Sequence, residues 1–147
     1  MTKTTTCIER KKMKKISSKE IEQIYQTIEK ALQMHTKWYE DLMRTLLCQL
    51  PLPESITDND AHMKCDFGCW LYTEQNEHLH RIPAFSKIEK LHELMHGGAR
   101  DMSLNMKENG MILEEDYDYF IRNASNFRNE LTDFRDRVLA TLEQADK

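Results

Sequence analysis

The sequence predicts an all-α fold: an antiparallel four-helix bundle with a short irregular or partly helical insertion in which Cys65 lies. Three observations lead there. Apolar residues recur at steps of three and four over three long stretches, which lines up each set on one helix face. Helix breakers are scarce, with four Gly and three Pro in 147 residues, and such a composition favours helix over sheet. Capping and stop signals bracket the stretches.

Ser17 and Glu20 have capping-box spacing, so the first helix is expected to start near residue 18. Its stripe runs Ile21, Ile24, Ile28, Leu32, Tyr39, Leu42, Leu46, and Pro51 and Pro53 bar its continuation. From 51 to 83 the periodicity fails. Residues 57–60 (Thr-Asp-Asn-Asp) read as turn, and 64–72 (KCDFGCWLY) have room for one or two helical turns. A connection of this length is uncommon in a compact domain unless it has a job. A further helix begins at Pro83, a good first-turn residue, with the stripe Phe85, Ile88, Met95, Ala99, Met102, Met106 and a stop at Asn109-Gly110. The last helix opens on Glu114, Glu115 and Asp116, which suit the positive end of the helix dipole. Its stripe is the most regular: Tyr117, Phe120, Ala124, Phe127, Leu131, Phe134, Val138, Leu142. No stop signal follows, so this helix is expected either to fray or to continue into further chain.

The totals narrow the function classes. A chain of this size makes one domain with one core. The formal net charge of −4 gives no case for nucleic-acid binding. Six basic residues against Glu9 make the first fifteen residues about +5, leaving about −9 for the rest. Residues 1–17 are accordingly expected to be a flexible basic arm, and 18–147 the folded domain. No apolar run is long enough for a membrane span, and the basic start is not followed by the apolar core of a signal peptide. Four cysteines are too few for a disulfide scaffold here, and with six histidines they fit a reducing, cytoplasmic setting and metal chemistry.

Three stripe positions are occupied by histidine instead of an apolar residue: His35 in the first helix, His92 and His96 in the next. Each unpartnered buried imidazole costs about 1–3 kcal/mol, so three call for a common cause, and a metal ion is one. His92 and His96 are four apart and share a helix face, and His35 comes from another helix. Cys65, in Cys65-Asp66-Phe67-Gly68-Cys69-Trp70, supplies a fourth donor. Three neutral imidazoles and one thiolate make a closed tetrahedral set that suits Zn²⁺.

Three pieces, His35-Thr36-Lys37-Trp38, Cys65-Asp66-Phe67-Gly68-Cys69-Trp70 and His92-Glu93-Leu94-Met95-His96, resemble the chemoreceptor zinc-binding (CZB) domain family of bacterial signalling proteins in type, order and separation. The likeness covers roughly 18–142. It implies His35, Cys65, His92 and His96 as zinc ligands, a homodimer, and a sensory role without catalysis of its own, in which zinc occupancy controls an attached output module. The N-terminal placement resembles the arrangement in which a diguanylate cyclase follows. Oxidation of Cys65, alone or in a disulfide with Cys69, would remove a ligand and add a redox input.

Two rival readings share these residues. His92-Glu93-Leu94-Met95-His96 matches the His-Glu-x-x-His motif of zinc hydrolases, in which the Glu is general base and a water completes the metal sphere. Against it, a Cys65 thiolate closes the position that a hydrolase leaves open. A zinc-stabilised dimerisation bundle without signalling is the other. Carboxylate-bridged di-iron bundles are excluded, because no Glu follows His35 or His92 at three or four residues. His62, His78 and His80 are expected to be exposed, Trp38 and Trp70 to be core wedges, Cys48 a small buried residue and Cys7 part of the arm. Gly97-Gly98 marks either a kink or a close helix approach.

Overall fold

The computed structural model describes residues 17–145, so the basic arm, with Cys7, lies outside the described residues except for Ser17. Helix α1 spans Ser18–Leu47, and the Glu20 N–H donates to the Ser17 hydroxyl at 3.1 Å, the side-chain cap that starts it. The helix ends before the prolines are reached. Gln49 takes a left-handed φ of 53°, the Leu50 N–H turns back to the Thr45 carbonyl at 2.9 Å, and Pro51 then prevents resumption.

The stretch without periodicity is helical but broken: α2 (Glu54–Thr57), α3 (Ala61–Lys64), α4 (Asp66–Leu71) and a 3₁₀ helix (Glu74–Arg81). None is long enough to show a 3.6-residue stripe, which is why the sequence pattern gives no helix there. Helix α5 spans Pro83–Asn109, starting on Pro83 and closing on Gly110 at φ 72°, a conformation that favours glycine. Helix α6 spans Glu114–Ala145. Among the described residues there is no strand, and no helix is long and apolar enough to cross a membrane.

Contacts fix the topology. Glu29 meets Arg135 at 3.1 Å and Tyr39 stacks on Phe120, so α1 and α6 run antiparallel. Lys87–Glu130 and Asn105–Asp116, each at 2.7 Å, do the same for α5 and α6. Between α1 and α5 the chain returns along the bundle. Thr57 shares a cavity with Leu46 and Met106 at one end, and His78 bonds Glu20 at 2.9 Å at the other. The result is an up-down-up-down bundle whose second member is four short pieces in place of one helix.

The predicted stripes meet in the core: Ile24, Ile28, Leu42 and Leu46 of α1; Phe85, Ile88, Met95, Ala99 and Met102 of α5; Phe120, Phe127, Leu131, Phe134 and Val138 of α6. Two expectations are corrected. Tyr117 is 43 % exposed, because the first turn of α6 lies at the end of the bundle. Cys48 is exposed, because it sits past the last turn of α1. At the glycine pair α5 approaches α6 closely: a Cβ on Gly98 would stand 3.4 Å from Phe120 Cα, an ordinary contact. A Cβ on Gly97 would meet nothing within 4 Å.

Candidate metal centre

The bundle brings the four predicted side chains together from three elements: His35 from α1, Cys65 from the residue that caps α4, His92 and His96 from α5. His92 is fully buried and His96 is 4 % exposed; His35 and Cys65 are half-buried. The His92 Nε2 atom is the hub. It lies 3.1 Å from His35 Nε2, 3.1 Å from His96 Nε2 and 3.4 Å from Cys65 Sγ. All four donor atoms fall within 4.8 Å of one another.

Ordinary hydrogen bonding does not account for this arrangement. A ring nitrogen carries at most one proton, so His92 Nε2 cannot satisfy three neighbours. One cation in the middle satisfies all four. Two nitrogens held tetrahedrally at about 2.0–2.1 Å from zinc are about 3.3 Å apart, close to the spacings seen here. The donor set therefore fits zinc on its own geometry.

The surroundings favour neutral imidazoles with lone pairs turned inward. His35 Nδ1 donates to the Ala31 carbonyl at 2.7 Å, which leaves Nε2 as the unprotonated atom facing the cluster. Burial lowers the pKa of His35, with the Ala31 bond opposing. Burial, then the like charges His96, His35 and His62 would carry, push His92 well below its ordinary value. Burial and the same kind of repulsion take His96 down to about 3. Burial raises the Cys65 thiol, opposed by the backbone N–H groups of Gly68 and Phe67; the Gly68 N–H points at Sγ from 3.3 Å. Phe67, Trp38 and Phe127 wall the cluster, with ring centroids 5.1 Å from His92, 4.7 Å from His96 and 5.1 Å from His35 respectively. An apolar wall of this kind keeps water and competing ligands away.

Gly68 is what lets Cys65 reach the cluster. A Cβ there would stand 1.9 Å from the His62 carbonyl oxygen, so α4 lies against α3 only without a side chain. Gly68→Ala is expected to cost about 3 kcal/mol of stability and to weaken zinc binding at least tenfold by displacing Cys65. Urea unfolding and zinc titration check this, and wild-type values in both would refute the role given to Gly68.

Three histidines differ from expectation. His62, His78 and His80 are half-buried because the connection folds as a member of the bundle. His62 lies with its ring 6.5 Å from that of His92. His78 bonds Glu20, and His80 bonds Glu89 at 3.0 Å and the Leu71 carbonyl. Glu93, the general base of the hydrolase reading, has a half-exposed side chain 4.0 Å from Lys90. The Ala31 carbonyl, the Gly68 approach and the nearness of His62 were not readable from the sequence. Only the position of Ala31, four residues before His35, carried a signal.

The sequence profile of the chemoreceptor zinc-binding domain matches residues 35–102, a stretch that contains all four clustered side chains. Over that stretch the chain is similar to the chemoreceptor zinc-binding domain. Diguanylate cyclase DgcZ of Escherichia coli (strain K12) is 25% identical over 132 residues, covering 86% of this chain and 43% of that protein. The chain thus spans less than half the length of this curated relative. The solved regulatory CZB domain of DgcZ superposes with a TM-score of 0.68 at 27% identity, covering 82% of this chain and 99% of that one. The helical bundle here is therefore similar to that regulatory domain, in fold and over nearly the whole length of that domain.

Proposed function

We propose that this chain is a cytoplasmic regulatory domain in which His35, Cys65, His92 and His96 hold one Zn²⁺ and zinc occupancy sets the output of a module joined to its C-terminal side. A diguanylate cyclase is the module that the DgcZ relationship favours. The observation that carries the reading is the four-donor cluster assembled from α1, the α4 cap and α5. When bound, zinc supplies the charge that holds these donors at one point. The chain's own residues do the rest. His35 fixes α1, Cys65 fixes the broken member, and His92 with His96 fixes α5, so their relative positions become coupled. Phe127 of α6 packs against His35 and His92, which links the long C-terminal helix to the same point.

In this reading two copies pair symmetrically, and the clamp alters the spacing or mobility of the two α6 ends. A structural zinc site contributes on the order of 10 kcal/mol of apparent binding energy, ample to select one bundle geometry over another. Spin labels near Leu142 in each subunit, compared with and without a chelator, test it. A changed distance distribution is expected. Identical distributions would leave zinc only a structural role. The hydrolase reading loses support from the proximity of Cys65, which fills the coordination position that a catalytic water needs.

Oxidation of Cys65 offers a second input. Its thiol faces His92, whereas that of Cys69 faces the Met63 and Lys64 carbonyls at 3.6 and 3.5 Å. Joining the two as a disulfide requires α4 to reorganise, so zinc release by an oxidant would be accompanied by loss of that turn.

A further inference from the structure

The Gly97-Gly98 pair is only half explained by packing. Gly98 lies under Phe120, but Gly97 faces open space, where glycine weakens a helix for no gain in contact. The space it faces is a polar cavity of about 220 Å³ between the α2–α3 region and α5, lined by Asp58, His62, Glu93, His96 and Gly97 among others. His96 is the one cluster ligand on its wall. This side chain is almost fully buried, and its Nδ1 has no hydrogen-bond partner.

Resting on the four-ligand reading, we propose that zinc reaches and leaves the cluster through this cavity, past the bare Gly97 wall, with His62 as the side chain that passes it to His96 and His92. Three carboxylates (Asp58, Glu93, Asp101) and one guanidinium (Arg100) line the cavity, with Asp58 paired to Lys64 at 3.0 Å, Asp101 to Arg100 at 3.5 Å and Glu93 4.0 Å from Lys90. A dication shedding its water there meets oxygen and nitrogen donors in replacement. His62 stands outside the four-donor cluster, yet its ring is 6.5 Å from that of His92, a distance a side-chain rotation covers. The other cavity touching the cluster, about 290 Å³ beside His35, is walled mainly by apolar side chains such as Leu32, Trp38, Met95 and Phe127. It holds the hydroxyls of Thr36, Tyr39 and Ser125 but no carboxylate, and the Arg128 guanidinium repels a dication, so this groove is the poorer route.

The experiment measures zinc uptake by metal-free protein and zinc release to a chromophoric chelator, both by stopped flow. Gly97→Leu fills the cavity with a residue that favours helix and meets no neighbour at Cβ. It is expected to slow uptake and release at least tenfold while the equilibrium Kd stays within about threefold, since no ligand changes. His62→Ala is expected to slow both without reducing zinc content. Ser125→Leu, which fills the groove beside His35, is expected to leave both rates unchanged. Rates within twofold of wild type in Gly97→Leu, or slowing in Ser125→Leu instead, overturn the route. Loss of zinc from His62→Ala would make His62 a ligand and overturn its role as relay. Wild-type protein that takes up no zinc overturns the four-ligand reading and the route together, whereas unchanged variant rates overturn the route alone.

Discussion

Protein in which His92 and His96 are both replaced by alanine is expected to retain less than about a tenth of a zinc ion per chain after dialysis, against one for the wild type. The pair supplies two of four donors from a single helix face, and His92 Nε2 is the atom nearest the other three. His35 and Cys65 would remain, on different elements, with no shared geometry to hold an ion. If a closed site contributes about 10 kcal/mol, losing half its donors removes several kcal/mol, or more than a thousandfold in affinity. The fold is expected to survive. Both imidazoles are buried with an unpartnered Nδ1, so their removal relieves a desolvation cost while leaving a cavity. His78→Ala is the matched control. It deletes a histidine bonded to Glu20 at the far end of the bundle and should keep a full zinc complement. Elemental analysis of the three proteins decides the matter, and a full complement in the double variant would refute the ligand set.

The residues that proved legible in the sequence share one property: their role is written in a helix period. The stripes of α1, α5 and α6 repeat over many turns, and a histidine interrupting such a stripe announces that something polar sits in the core. His35, His92 and His96 were visible for that reason. Cys65 was visible through its neighbours and through the family likeness, since α4 has six residues and no period to break. What stayed hidden was tertiary. The broken second member is held by contacts such as His78–Glu20, which joins residues far apart in sequence, and His80–Glu89, which reaches into the next helix, so its histidines read as exposed. Cys48 and Tyr117 are apolar enough for a core, but they sit at element ends, where the bundle has no layer left to cover them. The glycines divide along the same line. Gly110 follows from a helix stop, whereas the need for Gly68 depends on where the His62 carbonyl lies.

The affinity for zinc is expected to change tenfold per pH unit between about pH 6 and 8, and no more steeply. This follows from which ligands still carry a proton in the metal-free fold. Free imidazoles and a free thiol would together lose protons to the ion in that range, with values near 6.5 and 8.5. In the folded site burial has already driven the histidines to the neutral form: His35 is lowered, His92 lies well below its ordinary value, and His96 falls to about 3. Only the Cys65 thiol, raised by burial, still holds its proton for zinc to displace. One displaced proton gives a slope of one in log Kd against pH. The same histidines make the metal-free bundle acid-sensitive. The unfolded chain protonates them below about 6.5, whereas the folded chain resists until much lower pH. Stability is therefore full above 6.5 and declines as pH falls towards the folded values. One unit below 6.5, each imidazole that stays neutral costs about 1.4 kcal/mol. His92 and His96 together thus remove about 3 kcal/mol by pH 5.5, with His35 acting in the same direction. Zinc titrations at several pH values and urea unfolding of the metal-free protein at pH 7.5 and 5.5 measure both effects. A slope of two or more in log Kd, or equal stability at the two pH values, would show that the histidines are charged in the metal-free fold and would refute the neutral, preformed site.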